Sequence, residues 1–303
     1  MREDFTELNE AVSALQQFVD ENTTNEAQIN GTQLNEAQPN EVQNRYDEYN
    51  SLENHSTENL EHSEIPNVNN ITEIESTTRF SSAIWYSKIM EQDVTIAGVG
   101  GIGSWVAMLI SRMNPGHIYL YDPDTIEMVN LAGQFFSAQQ INNPKVNAVD
   151  ANCKTFSRYY NCLSYKKRFD HLYTNILICG FDNMEARKYA YSKWKERVDS
   201  SLFPENMLFI DGRLNAEEFQ VFCITGDNKY SQAKYEESWL FDDSDAEEAV
   251  CSYKQTSYMA NMIASVMTNL FVNFCANLCN PLIERDVPFF TRYDGTTMLF
   301  KTE

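Results

Sequence analysis

Gly98, Gly100, Gly101 and Gly103 follow an apolar, β-rich run at 94–97. They precede a helical apolar pattern of Trp105, Val106, Met108, Leu109 and Ile110. That order reads as a strand, a turn and a helix N-terminus. Backbone N–H groups at such a turn point outward without partners, and the helix dipole adds partial positive charge there. Glycine lets a phosphate approach main chain that a Cβ would shield. The chemistry this predicts is capture of a nucleotide phosphate. Gly98-x-Gly100-x-x-Gly103 also satisfies the dinucleotide fingerprint, with Asp122 placed to meet a ribose at the end of the next strand. On those residues alone an NAD-dependent oxidoreductase stays open.

The residues downstream narrow the choice. Asn130, Gln134, Lys145, Asp182-Asn183 and Arg187 follow in order. Hydride transfer has no need of a lysine and an isolated aspartate at the phosphate end. An adenylating site does. It must hold a triphosphate, neutralise charge at the α-phosphate and seat Mg²⁺ as pyrophosphate leaves. Lys145 offers a compact positive charge, and Asp182 an oxygen ligand suited to a hard cation. Asn130 can hydrogen-bond a phosphate without adding repulsion. Each position has a plainer reading beside this one. Lys145 could be a solvated helix residue, Asp182 the cap of a helix starting near Asn183, and Asp124 a turn residue.

The elements that must position these side chains alternate along the chain from Arg79. Strands are expected at 94–99, 118–122, 163–166, 176–179, 207–211, 219–225 and 297–301. Helices are expected at 102–113, 144–160, 184–198 and 255–278. Strands separated by helices of this length predict an α/β, Rossmann-like, doubly wound and mostly parallel sheet with helices on both faces. Ligands of such sheets bind at the carboxyl ends of the strands, where the glycines lie. Residues 226–250 read as a polar, acidic interruption.

The ordered set Gly-x-Gly-Gly-x-Gly, Asp122-x-Asp124, Asn130-Leu-x-x-Gln134, Lys145 and Asp182-Asn-x-x-x-Arg187 resembles the ThiF/MoeB/HesA family. This is the adenylating domain shared with ubiquitin-activating enzymes, and the resemblance runs from residue 79 to about 278. It implies ATP- and Mg²⁺-dependent adenylylation of a carboxylate by a homodimer. The acceptor it implies is the C-terminus of a ubiquitin-like or sulfur-carrier protein, or a small peptide. By motif position it implies that Gly98, Gly100, Gly101 and Gly103 cradle phosphate and that Asp122 binds ribose. Asn130 and Lys145 would contact phosphates, Asp182 would hold Mg²⁺, Gln134 would order the nucleotide loop, and Arg187 would brace it.

Three departures stand out. The family usually has Arg before the glutamine, where this chain has Gly133. The Arg-x-x-Arg segment upstream of the glycine loop is Arg79-Phe-Ser-Ser82 here. Loss of two positive charges beside a triphosphate motivates a second reading, a nucleotide-binding scaffold that has lost catalysis. Arg79, Arg112 and Arg213 are the candidates to replace the missing charge. Two Cys-x-x-Cys pairs, which bind zinc in many members, are lacking. Cys275 and Cys279 share a helix face, but two ligands do not close a zinc site, so zinc is not expected. Cys251 is the candidate nucleophile for a thioester, since a helix N-terminus lowers a thiol pKa. Glu247 and Glu248 oppose that, and a structural role is the alternative. The four histidines, His55, His62, His117 and His171, form no cluster.

Composition sets the outer bounds. The chain has 303 residues, a net charge of −21 and 43% hydrophobic residues. Residues 1–78 hold 17 acidic and 2 basic side chains, and the remainder 27 and 21. A tail rich in Asn, Gln and Glu, with imperfect repeats at 25–28, 35–38 and 40–43, is expected to be mostly disordered. An amphipathic helix is expected at 5–20 within it. The adenylation domain is expected over 79–303. This charge balance argues against a nucleic-acid partner. No apolar run reaches the length that spans a bilayer, so no membrane association is expected. The 7 scattered cysteines fit reduced thiols and a cytoplasmic location.

Overall fold

The computed structural model describes residues 77–241, 255–280 and 282–303. The tail with its expected helix at 5–20, the acidic stretch from 242 and Cys251 lie outside the described residues.

One eight-stranded sheet organises the described chain, in the order β3-β2-β1-β4-β5-β6-β7-β8. Its strands are β1 (Asp93–Ala97), β2 (His117–Tyr121), β3 (Cys162–Tyr165) and β4 (Ile176–Cys179), then β5 (Leu208–Asn215), β6 (Glu218–Thr225), β7 (Phe290–Asp294) and β8 (Leu299–Thr302). The first five run parallel to one another, and the β5–β6, β6–β7 and β7–β8 pairs are antiparallel. The central strands are almost wholly inaccessible, as Val94, Ile96, Ile176, Leu177 and Ile178 show. Strands covered on both faces carry such continuous apolar runs, which is how they can be read without alternation.

Among the described residues six α-helices accompany the sheet: α1 (Tyr86–Met90), α2 (Gly101–Ser111), α3 (Lys145–Ser157), α4 (Met184–Ser200), α5 (Lys229–Ser238) and α6 (Ser257–Cys279). Val106, Val149, Ile263 and Phe271 bring α2, α3 and α6 onto one face of the sheet, against Ile96 and Ile178. Trp194 of α4 and Tyr235 of α5 pack on the other, with Leu177 and Phe209. The doubly wound arrangement expected from the sequence is the one found. The expectation that no apolar run reaches bilayer-spanning length is corrected by α6, which by length and mean hydropathy (1.5 over its most apolar window) could cross a membrane. Its apolarity has another use here. Ten of its residues are buried, and it lies against α2 and strands β5 and β6.

Three elements were not expected from the sequence. β7 interrupts its own alternation, since Phe290, Thr291 and Tyr293 are all buried. α5 lies within the stretch read as a polar interruption. Its polar sequence hides a helix whose N-cap, Asn228, accepts from Ser231 N at 3.0 Å. α1 is five residues long, too short for a periodic signal. β5 also runs four residues past its expected end at Asp211, and beyond that point it pairs only with β6.

Candidate functional site

Three neighbouring strands end at one level. Ala97 is in register with Tyr121 of β2 and with Cys179 of β4. The chain leaves each at the same edge. Gly98 N donates to Tyr121 O at 2.9 Å, and Gly180 N to Ala97 O at 3.0 Å. Sheet order reverses between β1 and β4, so this edge is the crevice where doubly wound folds bind ligands.

The glycine turn fills the base of that crevice. Gly98 has φ of +81°, a conformation that a residue with a side chain adopts only under strain. A Cβ on Gly103 would lie 1.9 Å from the Gly98 carbonyl oxygen, so the helix could not seat so close to its strand. The N-cap of α2 is Gly100, which has no side chain to cap the helix. The first N–H returned to the backbone is that of Ser104, to Gly100 O at 3.1 Å. The N–H groups ahead of it have no helical acceptor. An anion satisfies such groups.

Asp122 is buried beneath the turn. Its Oδ2 accepts from Val99 N and its Oδ1 from Asp124 N, both at 2.9 Å. Burial pushes its carboxyl above the ordinary value of 3.8, against the opposing pull of Lys145 and the two backbone bonds. Lys145, the first residue of α3, is itself nearly buried. Its Nζ meets Asp124 Oδ2 at 2.9 Å, and its N–H bonds Asp124 O at 3.0 Å. Asp124, which the sequence left open between turn and site, holds Lys145 while staying largely exposed.

Asn130 caps the 3-10 turn Met128–Ala132, accepting from Glu127 N at 2.9 Å through Oδ1. Its acceptor is thereby occupied and its amide hydrogens remain. The Gln134 carboxamide lies 3.7–3.8 Å from where a Cβ on Gly100 would be. Its Oε1 is buried with no hydrogen-bond partner among the described residues. Such an orphan needs a donor from elsewhere.

Asp182 is exposed, three residues beyond the end of β4. The alternative role considered for it, capping the next helix, belongs to Asn183, whose Oδ1 accepts from Ala186 N at 2.8 Å. Asn183 also donates to Asp182 Oδ1 at 3.0 Å. Arg187 reaches back to Phe181 O, next to Asp182 in sequence, and to Gly212 O at 3.3 Å. Its Nε bonds Asp211 Oδ1 at 2.9 Å.

Asp211 was missed by sequence reasoning. It is 0% exposed and also accepts from Arg213 Nε at 2.8 Å and from Tyr235 Oη at 2.9 Å. The signal was an Asp-x-Arg at the end of an otherwise apolar strand, a charge that must be paired to be buried. The same network corrects one expectation. Arg213 cannot replace a missing site arginine, because Asp211, Tyr235 and Trp239 O hold it and it lies 4.6 Å from the Phe222 ring centre. Arg112 is the C-cap of α2, about 16 Å along that helix from the glycine turn. Arg79 is exposed.

Among the described residues, no group of three His, Cys, Asp or Glu side chains is placed to hold a metal. A Mg²⁺ bound through phosphates needs no such cage, since one or two carboxylates complete its shell. Burial pushes the Cys275 thiol well above the usual range, as suits a small apolar core residue.

The fold and the crevice define an α/β, Rossmann-like protein with a glycine turn at its switch point. Residues 73–302 match the ThiF family, and the chain belongs to that family. It is 27% identical over 144 residues to ubiquitin-like modifier-activating enzyme 5 of Culex quinquefasciatus, covering 41% of this chain and 36% of that one. It is 34% identical over 86 residues to the enzyme of the same name from Arabidopsis thaliana, covering 28% and 20%. The matched stretches therefore span little more than a third of those relatives at most. Among solved structures, PaaA superposes with a TM-score of 0.60 at 15% identity, over 88% of this chain and 83% of that one. MccB of E. coli, solved with ATP, gives 0.54 at 15% identity, over 73% and 65%. At that identity both likenesses speak for the fold. The family match and the curated relatives make the chain adenylyltransferase-like and a relative of the ubiquitin-like activating enzymes.

Proposed function

We propose that this chain uses ATP and Mg²⁺ to adenylylate a carboxylate, the C-terminus of a ubiquitin-like or sulfur-carrier protein or of a small peptide. The observation that carries this reading is the junction of β1, β2 and β4. An uncapped helix N-terminus, the Lys145–Asp124 pair and the exposed Asp182 follow from it, and a dinucleotide site needs neither of the last two. The α2 N-terminus holds phosphate oxygens, and Lys145 balances their charge. Asp122 keeps the turn folded through Val99 N and has lone pairs left for a ribose hydroxyl. The orphaned Gln134 Oε1 can accept a hydroxyl or amine hydrogen of the nucleotide. Asp182 would hold Mg²⁺ together with the phosphates, and the bound ion would neutralise charge on the leaving pyrophosphate. The acceptor carboxylate oxygen attacks the α-phosphorus, and the bond from that phosphorus to the pyrophosphate oxygen breaks. A peptide acceptor is motivated by MccB, which has been solved together with MccA. The homodimer and the cytoplasmic location belong to the same reading.

The test is exchange of labelled pyrophosphate into ATP in the presence of candidate carriers and peptides ending in free carboxylates. Exchange that Lys145→Ala and Asp182→Ala abolish is the expected result. ATP binding with no exchange for any acceptor favours the scaffold reading, which the buried Gly133 in place of an arginine motivates. Binding of NAD in preference to ATP refutes both.

A further inference from the structure

Gln255 comes just before α6, and its backbone forms a parallel bridge with Ala216 in the β5–β6 turn. Its side chain occupies a slot between two glycines. A Cβ on Gly101 would fall 1.3 Å from its Nε2, and one on Gly133 would fall 2.8 Å from its Cγ. The slot exists only because both positions lack side chains. Gly101 is the first residue of α2, so the Gln255 amide lies against the uncapped N-terminal turn. Residues this close to main chain normally use their amide on it. Neither amide atom of Gln255 has a hydrogen-bond partner among the described residues. On the neighbouring glycine, the Gln134 Oε1 is buried and unpaired, whereas Gln255 is only partly buried.

The direction of the turn says which part of a nucleotide would meet Gln255. Asp122, the acid available to a ribose, bonds Val99 N at the strand end of the turn. Gln255 covers Gly101, two residues on, at the helix end. A nucleotide lying along the turn from ribose to phosphate tail therefore carries its outer phosphates toward Gln255. We propose that Gln255 is a phosphate-positioning residue, donating an Nε2 hydrogen to the β- or γ-phosphate of a nucleoside triphosphate. This rests on the nucleotide reading above. The amide adds a donor without a charge, where Gly133 leaves no arginine and Arg213 is engaged elsewhere. Gly133 then has a use of its own, since any side chain there would displace the amide.

Calorimetric titration of the full chain with ATP–Mg²⁺ and with AMP tests this. One hydrogen bond to a charged group corresponds to roughly tenfold or more in affinity. Gln255→Ala is expected to weaken ATP by about tenfold and AMP by less than about twofold. Gln255→Glu, equal in length but negative, is expected to weaken ATP further. Gly133→Ala, which crowds the amide out of its slot, is expected to repeat the Gln255→Ala pattern. Equal losses for ATP and AMP would mean a merely structural role and overturn the inference. So would native ATP binding by Gln255→Ala or Gly133→Ala, and tighter binding would mean that the amide blocks the phosphate. If the native chain binds no ATP, the nucleotide reading falls and takes this one with it. If native ATP binding survives unchanged in the variants, only this inference falls.

Discussion

Replacing Asp211 by Asn keeps the shape of the side chain and removes the charge that two guanidiniums share. Asp211 is fully buried, and Arg187, Arg213 and the Tyr235 hydroxyl all donate to it. In the variant, two buried cations face each other with no anion between them. The Asn amide also presents N–H toward a group of donors. Breaking a buried pair by removing one partner costs about 3–5 kcal/mol. For a domain of this size each kcal/mol lowers the unfolding midpoint by about 2–4 °C. The Asp211→Asn midpoint is therefore expected to fall by roughly 6–20 °C in differential scanning calorimetry. Tyr235→Phe removes one hydrogen bond from the same network, worth about 1 kcal/mol, and is expected to cost only a few degrees. Arg187 also holds Phe181 O, beside the proposed metal ligand. Below its midpoint the variant should consequently need more Mg²⁺ for half-maximal pyrophosphate exchange. A midpoint within 3 °C or so of the native one would refute the argument, because a charge so enclosed cannot be removed that cheaply.

Other expectations follow from the same geometry. Asp182→Ala should leave stability within about 0.5 kcal/mol of native, as exposed substitutions do, yet remove Mg²⁺-dependent exchange. Unaltered Mg²⁺ dependence would exclude Asp182 as the ligand. Burial raises the Asp122 carboxyl above 3.8, so between its unfolded and folded values the folded chain binds more of this proton than the unfolded one. The stabilisation from its neutral form is complete below that unfolded value and is lost as pH rises through the higher folded value. Lys145 opposes the shift, so Lys145→Met should move the Asp122 titration upward in carboxyl-detected NMR. A titration that stays put would show that the two charges do not interact.

Much of the site was legible because its signals are local. The glycines announce a close approach of helix and strand, and the Gly103 spacing to the Gly98 carbonyl is that approach measured. The four central strands could be read from continuous apolar runs, since both of their faces are covered. What escaped was long-range. Asp124 looks like any turn residue until α3 brings Lys145 onto it, 21 positions away. Gln255 reaches Gly101 across more than 150 residues, and no pattern near either predicts the meeting. Arg213 looked available only because its partners, Asp211, Tyr235 and the Trp239 carbonyl, are a product of sheet and helix packing. α5 was hidden by composition, since its stability comes from a few buried groups such as Tyr235 rather than from an apolar stripe.

The pairing of β4 directly against β1 also bears on how the molecule acquires its site. β1 and β4 are separated by the whole of α2, β2, α3 and β3, whereas β5 and β6 close through a two-residue turn. Non-local parallel pairing is slow because loop-closure entropy is lost before contacts repay it. The hairpin should therefore form early, and the glycine turn should meet Gly180 only in the last step. A refolding intermediate would then show strand signal before it can bind nucleotide. Stopped-flow refolding with a fluorescent ATP analogue should show binding lagging behind circular dichroism, and simultaneous recovery of both would contradict that order.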